Sequence, residues 1–309
     1  MAIQWFPGHM HKARKALSEL VADIDVVIEM CDARLPMSSS NPMIAYIARK
    51  KPMLKILNKQ DLADPAMTKQ WIEWFEREAN TRAIALTHGD NQAKNRIIQA
   101  ASALAPKRGT LEKPLRLVIA GIPNVGKSTL INQISGRKIA KTGNEPAITK
   151  GLQRVDLSDE VILFDTPGML WPKIEHEASG YALAASGAVG RNALDEEEVA
   201  LELLALLQVG YPKDLMARYG LEDVSGADYE LFTRIARRIG AVRSGGHLDA
   251  QKSAERILTD FREGRIGRVT LESPQRWEEI VEEIRVRQEQ KAAEKAALAA
   301  EKANKSHKQ

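Results

Sequence analysis

The segment GIPNVGKST at residues 121–129 is the feature that most restricts what this chain can fold into. It follows the apolar run LRLVIA and precedes a helical pattern, as a phosphate-binding loop between a strand and a helix does. Gly121 and Gly126 let the backbone turn so that its N–H groups converge on phosphate oxygens, and Lys127 neutralises phosphate charge. The alternative is a glycine-rich turn that carries a lysine by chance, but the flanking strand and helix favour the phosphate loop.

A second motif, DTPG at residues 165–168, closes the apolar run EVILFD. Asp165 is placed to hold magnesium, as the second-strand acid of P-loop nucleotidases does, and Gly168 can bring a backbone N–H to the terminal phosphate. Alone, DTPG is a common turn, but its separation from the phosphate loop favours a role in the site. The residues predicted to contact phosphate are Asn124, Val125, Gly126, Lys127, Ser128, Thr129 and Gly168.

A third motif, Asn58-Lys59-Gln60-Asp61, has the N-K-x-D spacing and ends the apolar run MLKILN. The carboxylate of Asp61 can accept hydrogen bonds from both N1–H and the 2-amino group of guanine, and adenine lacks these donors. Such a site rejects the analogue that lacks the donors by roughly 10⁴-fold or more. A helix-capping Asx turn is the alternative for this motif alone. Together with the other two motifs, it predicts a guanine-binding loop.

Short apolar runs alternate with helix-length segments in the first half of the chain, which predicts an α/β fold with a doubly wound sheet. The strand-like runs are residues 23–33, 53–58, 82–86, 115–121 and 160–165, and the helix-like segments are 65–80 and 91–105. In such sheets ligands bind beyond the carboxyl ends of the strands, whatever their order in the chain. A base-reading motif before the phosphate loop therefore indicates a circular permutation, with residues 105–114 as the joining linker.

After Pro172 amphipathic helical patterns replace the strand patterns, so we expect a smaller all-helical domain to follow the sheet. One predicted helix has Asp249 as its N-cap and ends near Gly264. The last residues are rich in Ala, Lys and Glu with almost nothing to bury, and we expect them to fray. The predicted divisions are 1–172 for the sheet domain, 173–284 for the helical domain and 285–309 for the tail.

Composition excludes several classes of protein. Cys31 is the single cysteine, so no disulfide can form within the chain and no CxxC pair can hold zinc. No stretch approaches the roughly 20 apolar residues of a membrane span, and the N-terminus lacks the apolar core of a signal peptide. We therefore expect a cytoplasmic protein, a monomer, that makes no membrane contact.

Taken together, the motifs resemble a known family, the circularly permuted ribosome biogenesis GTPase A family of the YlqF type. The residues that carry the resemblance are NKQD, GIPNVGKST, a threonine in PAITKG, DTPG, WFPGHM at the start and DARLPMSSSNP at 32–42. The resemblance covers nearly the whole chain. It implies hydrolysis of GTP to GDP and phosphate, in a late step of large ribosomal subunit maturation, stimulated by the ribosomal particle. The alternative is a nucleotide-gated RNA-binding module whose hydrolysis is incidental.

The resemblance also implies roles for single residues near the base and the reacting water. Thr87 and His88 would occupy the place where related GTPases show Ser-Ala, beside the guanine. Met169 follows DTPG where Ras-type enzymes have a glutamine, and methionine cannot orient a water. The resemblance points to His9 as the catalytic group instead. The alternative is a surface histidine in a basic N-terminal helix.

Magnesium and potassium are the cofactors that the resemblance implies. Magnesium would be held by Ser128, Asp165 and Thr149, the last as the switch I threonine that closes on the metal and the γ-phosphate. Potassium would be held by Asn124 beside the phosphates. For Asn124 the alternative is an asparagine that only shapes the turn.

Basic residues concentrate toward the C-terminus. Residues 231–268 hold nine Lys/Arg and four Asp/Glu, a local net charge of +5, while the whole chain carries +4. Arginine suits RNA phosphates and base stacking, so ribosomal RNA is the expected partner, together with the large subunit. A solvated helix face is the alternative from charge alone. The candidates for RNA contact are Arg234, Arg237, Arg238, Arg243, Lys252, Arg256, Arg262, Arg265 and Arg268.

We predict that Asp61→Asn shifts the preference of the protein from guanine toward xanthine nucleotides. The amide NH₂ can donate to the 2-oxo group of xanthine, while the carboxylate partner of the guanine 2-amino group is lost. Competition binding with GDP and XDP measures the shift. Unchanged preference for GDP would mean that NKQD is not the base-reading motif.

Overall fold

The computed structural model describes residues 8–49, 51–137, 152–172, 174, 176–190, 195–243, 245, 247–283, 285–286 and 289–290. The chain divides into two compact units, Met1–Leu271 and Glu272–Gln309. The first unit contains a β-sheet and the helices around it, and in the second unit residues 274–283 are helical. No helix within the described ranges is both long and apolar enough to cross a membrane. The predicted tail beyond residue 290 lies outside the described residues.

A six-stranded sheet forms the centre of the first unit as far as it is described. Its strands are β1 (Val26–Asp32), β2 (Met53–Asn58), β3 (Thr81–Ala85), β4 (Leu115–Gly121), β5 (Gln153–Ser158) and β6 (Val161–Asp165). The spatial order is β3-β2-β1-β4-β6-β5, and every neighbouring pair is parallel except β5 with β6. The predicted α/β fold with a largely parallel sheet is confirmed.

The sequence pattern predicts the central strands more clearly than the edge strand β5. Every residue of β1 and β2 is buried, and these strands are mostly apolar runs in the sequence, as parallel strands covered on both faces are. In β5 only Val155 and Leu157 are buried, and polar residues stand between and beside them. The sequence analysis did not predict β5, because two apolar residues in a polar setting give a weak strand signal.

The helices of the first unit begin mostly at residues that can cap them. Their bounds are α1 Gly8–Leu20, α2 Pro42–Ala48, α3 Pro65–Phe75, α4 Ala93–Leu104, α5 Lys127–Ser135, α6 Glu177–Ser186, α7 Glu196–Gly210, α8 Pro212–Tyr219, α9 Asp228–Arg238 and α10 Ala250–Arg262. Asp64 and Asp195 accept hydrogen bonds from the first backbone N–H groups of α3 and α7. The predicted linker 105–114 connects α4 to β4.

Between residues 176 and 262 the regular secondary structure of the described residues is helical, apart from one isolated bridge between Val242 and Leu248. The prediction for α10 is confirmed, because the Asp249 side chain accepts from the Lys252 N–H and the helix ends at Arg262. α7 packs against α6, α9 and α10. These helices belong to the same compact unit as the sheet, and the division at residues 172 and 284 stays a prediction.

A buried ion pair inside the sheet ties one loop to the strands. Glu29 of β1 stands opposite Lys55 of β2, and Lys55 Nζ lies 2.5 Å from Glu29 Oε2. Glu29 Oε1 also accepts from the Asn41 N–H at 2.6 Å, and Lys55 Nζ donates to Ser40 Oγ at 2.8 Å. The Phe75 ring covers the ammonium group at 5.0 Å from its centroid. The loop before α2 is therefore held against the sheet by charge-assisted hydrogen bonds.

Glu29→Gln should destabilise the protein by about 3–5 kcal/mol, because it leaves the Lys55 ammonium buried without its counter-charge. The matched control is Asp156→Asn, since the Arg154–Asp156 pair has side chains that are 60% and 61% exposed. The control should change the free energy of unfolding by no more than about 0.5 kcal/mol. Urea unfolding of the two variants makes the comparison. Equal effects would contradict a structural role for the buried pair.

Candidate functional site

The three predicted motifs meet at one edge of the sheet, beyond the carboxyl ends of β2, β4 and β6. Asn58 ends β2, Gly121 ends β4 and Asp165 ends β6. This is the edge where open α/β sheets bind ligands. Two of the motifs are directly bonded, because Asn58 Nδ2 donates to the Val125 carbonyl at 2.8 Å. The circular permutation therefore leaves the base loop and the phosphate loop adjacent in space.

The phosphate loop has the close backbone approach that its glycines predict. Gly126 has a φ of +96°, and a Cβ there would collide with the Asn58 amide. A Cβ at Gly121 would lie 2.7 Å from the Met30 carbonyl oxygen. α5 begins at Lys127, so its first N–H groups are available to an anion. The loop can therefore cradle phosphates with backbone donors.

Asp165 is a fully buried carboxylate whose oxygens make no hydrogen bond among the described residues. Lys127 Nζ lies 3.9 Å from Oδ1, too far for a hydrogen bond. Burial raises the pKa of Asp165 and lowers the pKa of Lys127. Such a carboxylate fits a magnesium ion, to which the half-buried Ser128 could add its hydroxyl.

The turn DTPG and the residue after it, Met169, are held between the phosphate loop and the loop before α2. The Met169 N–H donates to the Gly121 carbonyl at 3.1 Å, and the Met169 carbonyl accepts from Asn41 Nδ2 at 2.9 Å. A Cβ added at Gly168 would lie 3.2 Å from Pro123 backbone atoms. Met169 is itself fully buried. Its side chain therefore packs in the core, and the structure gives it no access to a reacting water.

The base-reading loop is a short 3₁₀ turn, Gln60–Leu62, that follows Lys59 in the left-handed conformation. Lys59 Nζ donates to Asp32 Oδ2 at 2.9 Å and to the Asn124 carbonyl at 3.0 Å. The Thr87 hydroxyl donates to Asp61 Oδ1, and the neighbouring His88 is exposed. The structure thus brings Thr87 to Asp61, and the guanine-binding role of Thr87 and His88 stays a prediction.

Sequence reasoning missed the role of Asp32 and Arg34, which it noted only within DARLPMSSSNP. Arg34 donates through Nε to Asp32 Oδ1 at 2.9 Å and through Nη2 to Oδ2 at 2.8 Å. Burial would raise the pKa of Asp32, but Arg34 and Lys59 hold that pKa well below its usual range. Arg34 Nη1 also donates to the Phe261 carbonyl at 2.8 Å, at the end of α10. Charged residues directly after a buried strand were the available signal.

Asn124, predicted as a possible potassium ligand, connects the phosphate loop to the helical region. Its backbone is left-handed, with a φ of 58°, and its Nδ2 donates to the Gly187 carbonyl at 2.7 Å. Gly187 caps the C-terminus of α6. Both roles considered for Asn124, shaping the turn and holding potassium, stay predictions.

The nine basic candidates for RNA contact divide by what they touch. Several bond to the protein itself: Arg234 to Asp223, Arg243 to Asp249, Arg256 and Arg265 to Asp260, Arg262 to the Ala184 and Ala185 carbonyls, and Arg268 to the Gln60 and Ala63 carbonyls. Arg237, Arg238 and Lys252 are exposed on α9 and α10. Arg262 and Arg268 thus fix backbone in the first unit, a role that charge clustering did not suggest.

Two predicted residues fall outside what the structure describes. Thr149 lies in the undescribed range 138–151. His9 has its backbone in α1, but its side chain lies outside the described residues. Their predicted roles stay predictions.

This fold with this motif order defines the class of protein as a circularly permuted P-loop GTPase. A family model described as 50S ribosome-binding GTPase matches residues 116–216. Ribosome biogenesis GTPase A of Bacillus cereus is 42% identical over 291 residues, which cover 92% of this chain and 98% of that protein.

Two solved structures are also similar. GDP-bound YlqF superposes with a TM-score of 0.63 at 26% identity and covers 84% of this chain and 99% of its own. GNP-bound YlqF from T. maritima superposes with a TM-score of 0.62 at 27% identity and covers 85% of this chain and 98% of its own. The chain belongs to the ribosome biogenesis GTPase A family, which confirms the resemblance carried by its motifs.

Gly126→Ala should weaken binding of guanine nucleotide by about tenfold or more, the effect of losing about 1.4 kcal/mol of interaction. The added Cβ would push Asn58 away and displace the phosphate loop. Gly136→Ala is the matched control, because Gly136 also has a positive φ of +64° but has nothing within 4 Å of the added Cβ. Both variants carry backbone strain of about 1–2 kcal/mol, and thermal unfolding of Gly126→Ala should shift further because its Cβ also meets Asn58. GDP affinity by calorimetry separates them, and equal affinity would contradict the placement of Gly126.

Proposed function

We propose that this protein binds GTP and hydrolyses it to GDP and phosphate while it acts in the assembly of the large ribosomal subunit, at a late step. The observation that carries the proposal is the hydrogen bond between Asn58 of the base motif and the Val125 carbonyl of the phosphate loop, which makes one site of two distant motifs. The names of the curated relatives and the description of the matching family model support the ribosomal role.

Asp61 selects the guanine base. Its carboxylate accepts from N1–H and the 2-amino group, and an adenine nucleotide lacks both of these donors. Asn58 and Lys59 act mainly on the loops, since their side chains bond to the Val125 and Asn124 carbonyls. Thr87 orients the Asp61 carboxylate through its hydroxyl. The base site therefore depends on a hydrogen-bonded frame as well as on the group that reads the base.

Phosphate binding uses the phosphate-loop amides and Lys127, whose lowered pKa reflects burial that a bound phosphate would offset. Asp165 and Ser128 would hold magnesium, and the unpartnered carboxylate oxygens of Asp165 support this assignment. When bound, magnesium neutralises charge on the β- and γ-phosphate oxygens. Thr149 would complete the set. Potassium coordination by Asn124 stays a prediction, since its amide nitrogen already donates to Gly187.

The chemical step needs a group that Met169 cannot supply. Because Met169 is buried, the residue after DTPG neither orients nor polarises a water. We infer that His9, at the start of α1, acts on the water beside the γ-phosphate once the protein is bound to the ribosomal particle. Intrinsic hydrolysis should then be slow and the particle should stimulate it, as in GTPases that await a partner.

The RNA-facing role falls to the helical part of the chain, residues 173–284, beside the GTPase part, residues 1–172. Arg237, Arg238 and Lys252 are among its exposed cations, and they suit ribosomal RNA phosphates. The monomeric state and the cytoplasmic location stay predictions. If the particle did not stimulate hydrolysis, the buried Met169 would favour the second candidate, a nucleotide-gated RNA-binding module with incidental hydrolysis.

We predict that His9→Ala keeps GTP affinity and binding to the large subunit but loses most of the particle-stimulated hydrolysis, with little change in the slow intrinsic rate. Removing a positioned general base or water-orienting group costs about 10²–10⁴-fold in rate. Phosphate release with and without purified large subunits measures both rates. His11→Ala is the matched control on the same helix and should keep the stimulation.

Lys127→Ala is the control that loses the nucleotide. It should abolish nucleotide binding and all hydrolysis while the protein stays folded. Wild-type affinity in Lys127→Ala would contradict the phosphate site. Full stimulation in His9→Ala would assign His9 to a basic docking helix and transfer the catalytic role to a group from the particle. Wild-type protein that the particle does not stimulate would favour the RNA-binding module.

A further inference from the structure

The chain that follows α10 runs back to the base-reading loop. We call residues 264–271 the return segment. The Val269 N–H donates to the Leu62 carbonyl at 3.1 Å. Gly264, with a φ of +71°, packs so closely on Leu62 that an added Cβ would lie 2.6 Å from Leu62 Cδ2. The return segment and the loop after β2 are thus in direct contact, although 202 positions separate Leu62 from Gly264 in the sequence.

Arg268 makes the strongest connection of the return segment to the loop. Its Nε donates to the Ala63 carbonyl at 3.0 Å, and its Nη2 donates to the Gln60 carbonyl at 3.0 Å. With the Val269 bond, the carbonyls of residues 60, 62 and 63 all accept from this one segment. Asp61 lies between the first two of them. The planar guanidinium therefore spans the turn that carries the base-reading carboxylate.

The far end of the return segment is fixed as well. Thr270 Oγ1 accepts from the Asp64 N–H at 3.1 Å and donates to the Ala33 carbonyl at 3.3 Å. The Leu271 N–H donates to the Arg34 carbonyl at 2.7 Å. These bonds tie the segment both to the end of the base loop and to the residues directly after β1. The segment is held at each end and bridges the two loops.

The loop itself has few internal bonds that would fix Asp61. The described backbone bonds within it are from Leu62 N–H to the Lys59 carbonyl at 3.0 Å and from Ala63 N–H to the Gln60 carbonyl at 3.3 Å. A 3₁₀ turn of this length has poor hydrogen-bond geometry and is weak alone. The exposed Asp61 must nevertheless point in one direction to accept from two donors of guanine. External support of the carbonyls on either side of it meets that requirement.

We propose that the return segment is part of the guanine site and that Arg268 is a positioning residue for base selection. Arg268 acts through the turn: it holds the Gln60 and Ala63 carbonyls so that the Asp61 carboxylate faces the N1–H and 2-amino edge. The inference rests on the proposed function, because it requires that the site binds guanine nucleotides. It reassigns Arg268 from the RNA-contact candidates to the base site.

The test compares the affinities of the full-length protein for GDP and IDP, without ribosomal particles. IDP lacks the 2-amino group, so the ratio of the two dissociation constants reports the Asp61 contact to that group. Arg268→Ala should lower GDP affinity about fivefold and IDP affinity by less than about twofold, because only GDP uses the full contact to a well-oriented carboxylate. The preference for GDP over IDP should therefore fall.

Arg218→Ala is the matched control. Arg218 donates to the buried Asp260 at 2.9 Å within the helical region, and among the residues that the structure describes it makes no bond to the base loop. Its loss should lower stability and leave the GDP-to-IDP preference unchanged. If Arg268→Ala gives too little folded protein, Thr270→Val removes the bond to the Asp64 N–H at nearly constant side-chain shape and should lower the preference in the same direction.

An unchanged preference in Arg268→Ala and Thr270→Val would overturn the inference, and so would an equal loss in Arg218→Ala. Both results are distinct from failure of the proposed function. If the proposed function were wrong, the wild-type protein would show no preference for GDP over IDP. That result would also overturn the inference about Arg268.

Discussion

The buried carboxylate of Asp32 is the interaction on which the geometry of the site depends. It ends β1, the strand between β2 and β4, and it accepts from both Arg34 and Lys59. Lys59 extends the contact to the Asn124 carbonyl in the phosphate loop, and Arg34 extends it to the Phe261 carbonyl at the end of α10. A buried charge is tolerated only when it is paired and hydrogen-bonded, so these partners cannot move independently. One anion thereby aligns the base loop, the phosphate loop and the helical region.

The circular permutation determines which parts of the chain reach the nucleotide site. The connection 105–114 joins α4 to β4, so the base loop comes first in the chain and the strand β6 leads out of the sheet domain. The described residues after DTPG enter α6, and Gly187 at the end of that helix accepts from Asn124 of the phosphate loop. The return segment then brings the chain back to the base loop. Helices after the sheet therefore contact both halves of the nucleotide site.

The sequence predicts features that depend on neighbouring residues better than contacts between residues far apart in the chain. β2 and β4 were predicted with their observed bounds, because strands buried on both faces are continuous apolar runs, and the Asp249 cap was predicted because caps are local. Arg262 and Arg268 were predicted only as basic residues for RNA. Both donate to main-chain carbonyls far away in sequence, and any residue type supplies a carbonyl, so no local pattern marks such a bond.

The same network fixes the groups expected to bind the nucleotide and also the turn after DTPG. The binding parts are pre-organised: Lys127 opens α5, and Lys59 bridges the base loop and the phosphate loop through its bonds to the buried Asp32 and to the Asn124 carbonyl. The turn after DTPG is equally fixed, since the Met169 N–H and carbonyl are bonded to Gly121 and Asn41 and its side chain is in the core. The buried methionine fixes that turn, but its side chain cannot orient a water. The proposed function therefore requires a separate group to complete the chemistry at a site whose binding groups are already in place.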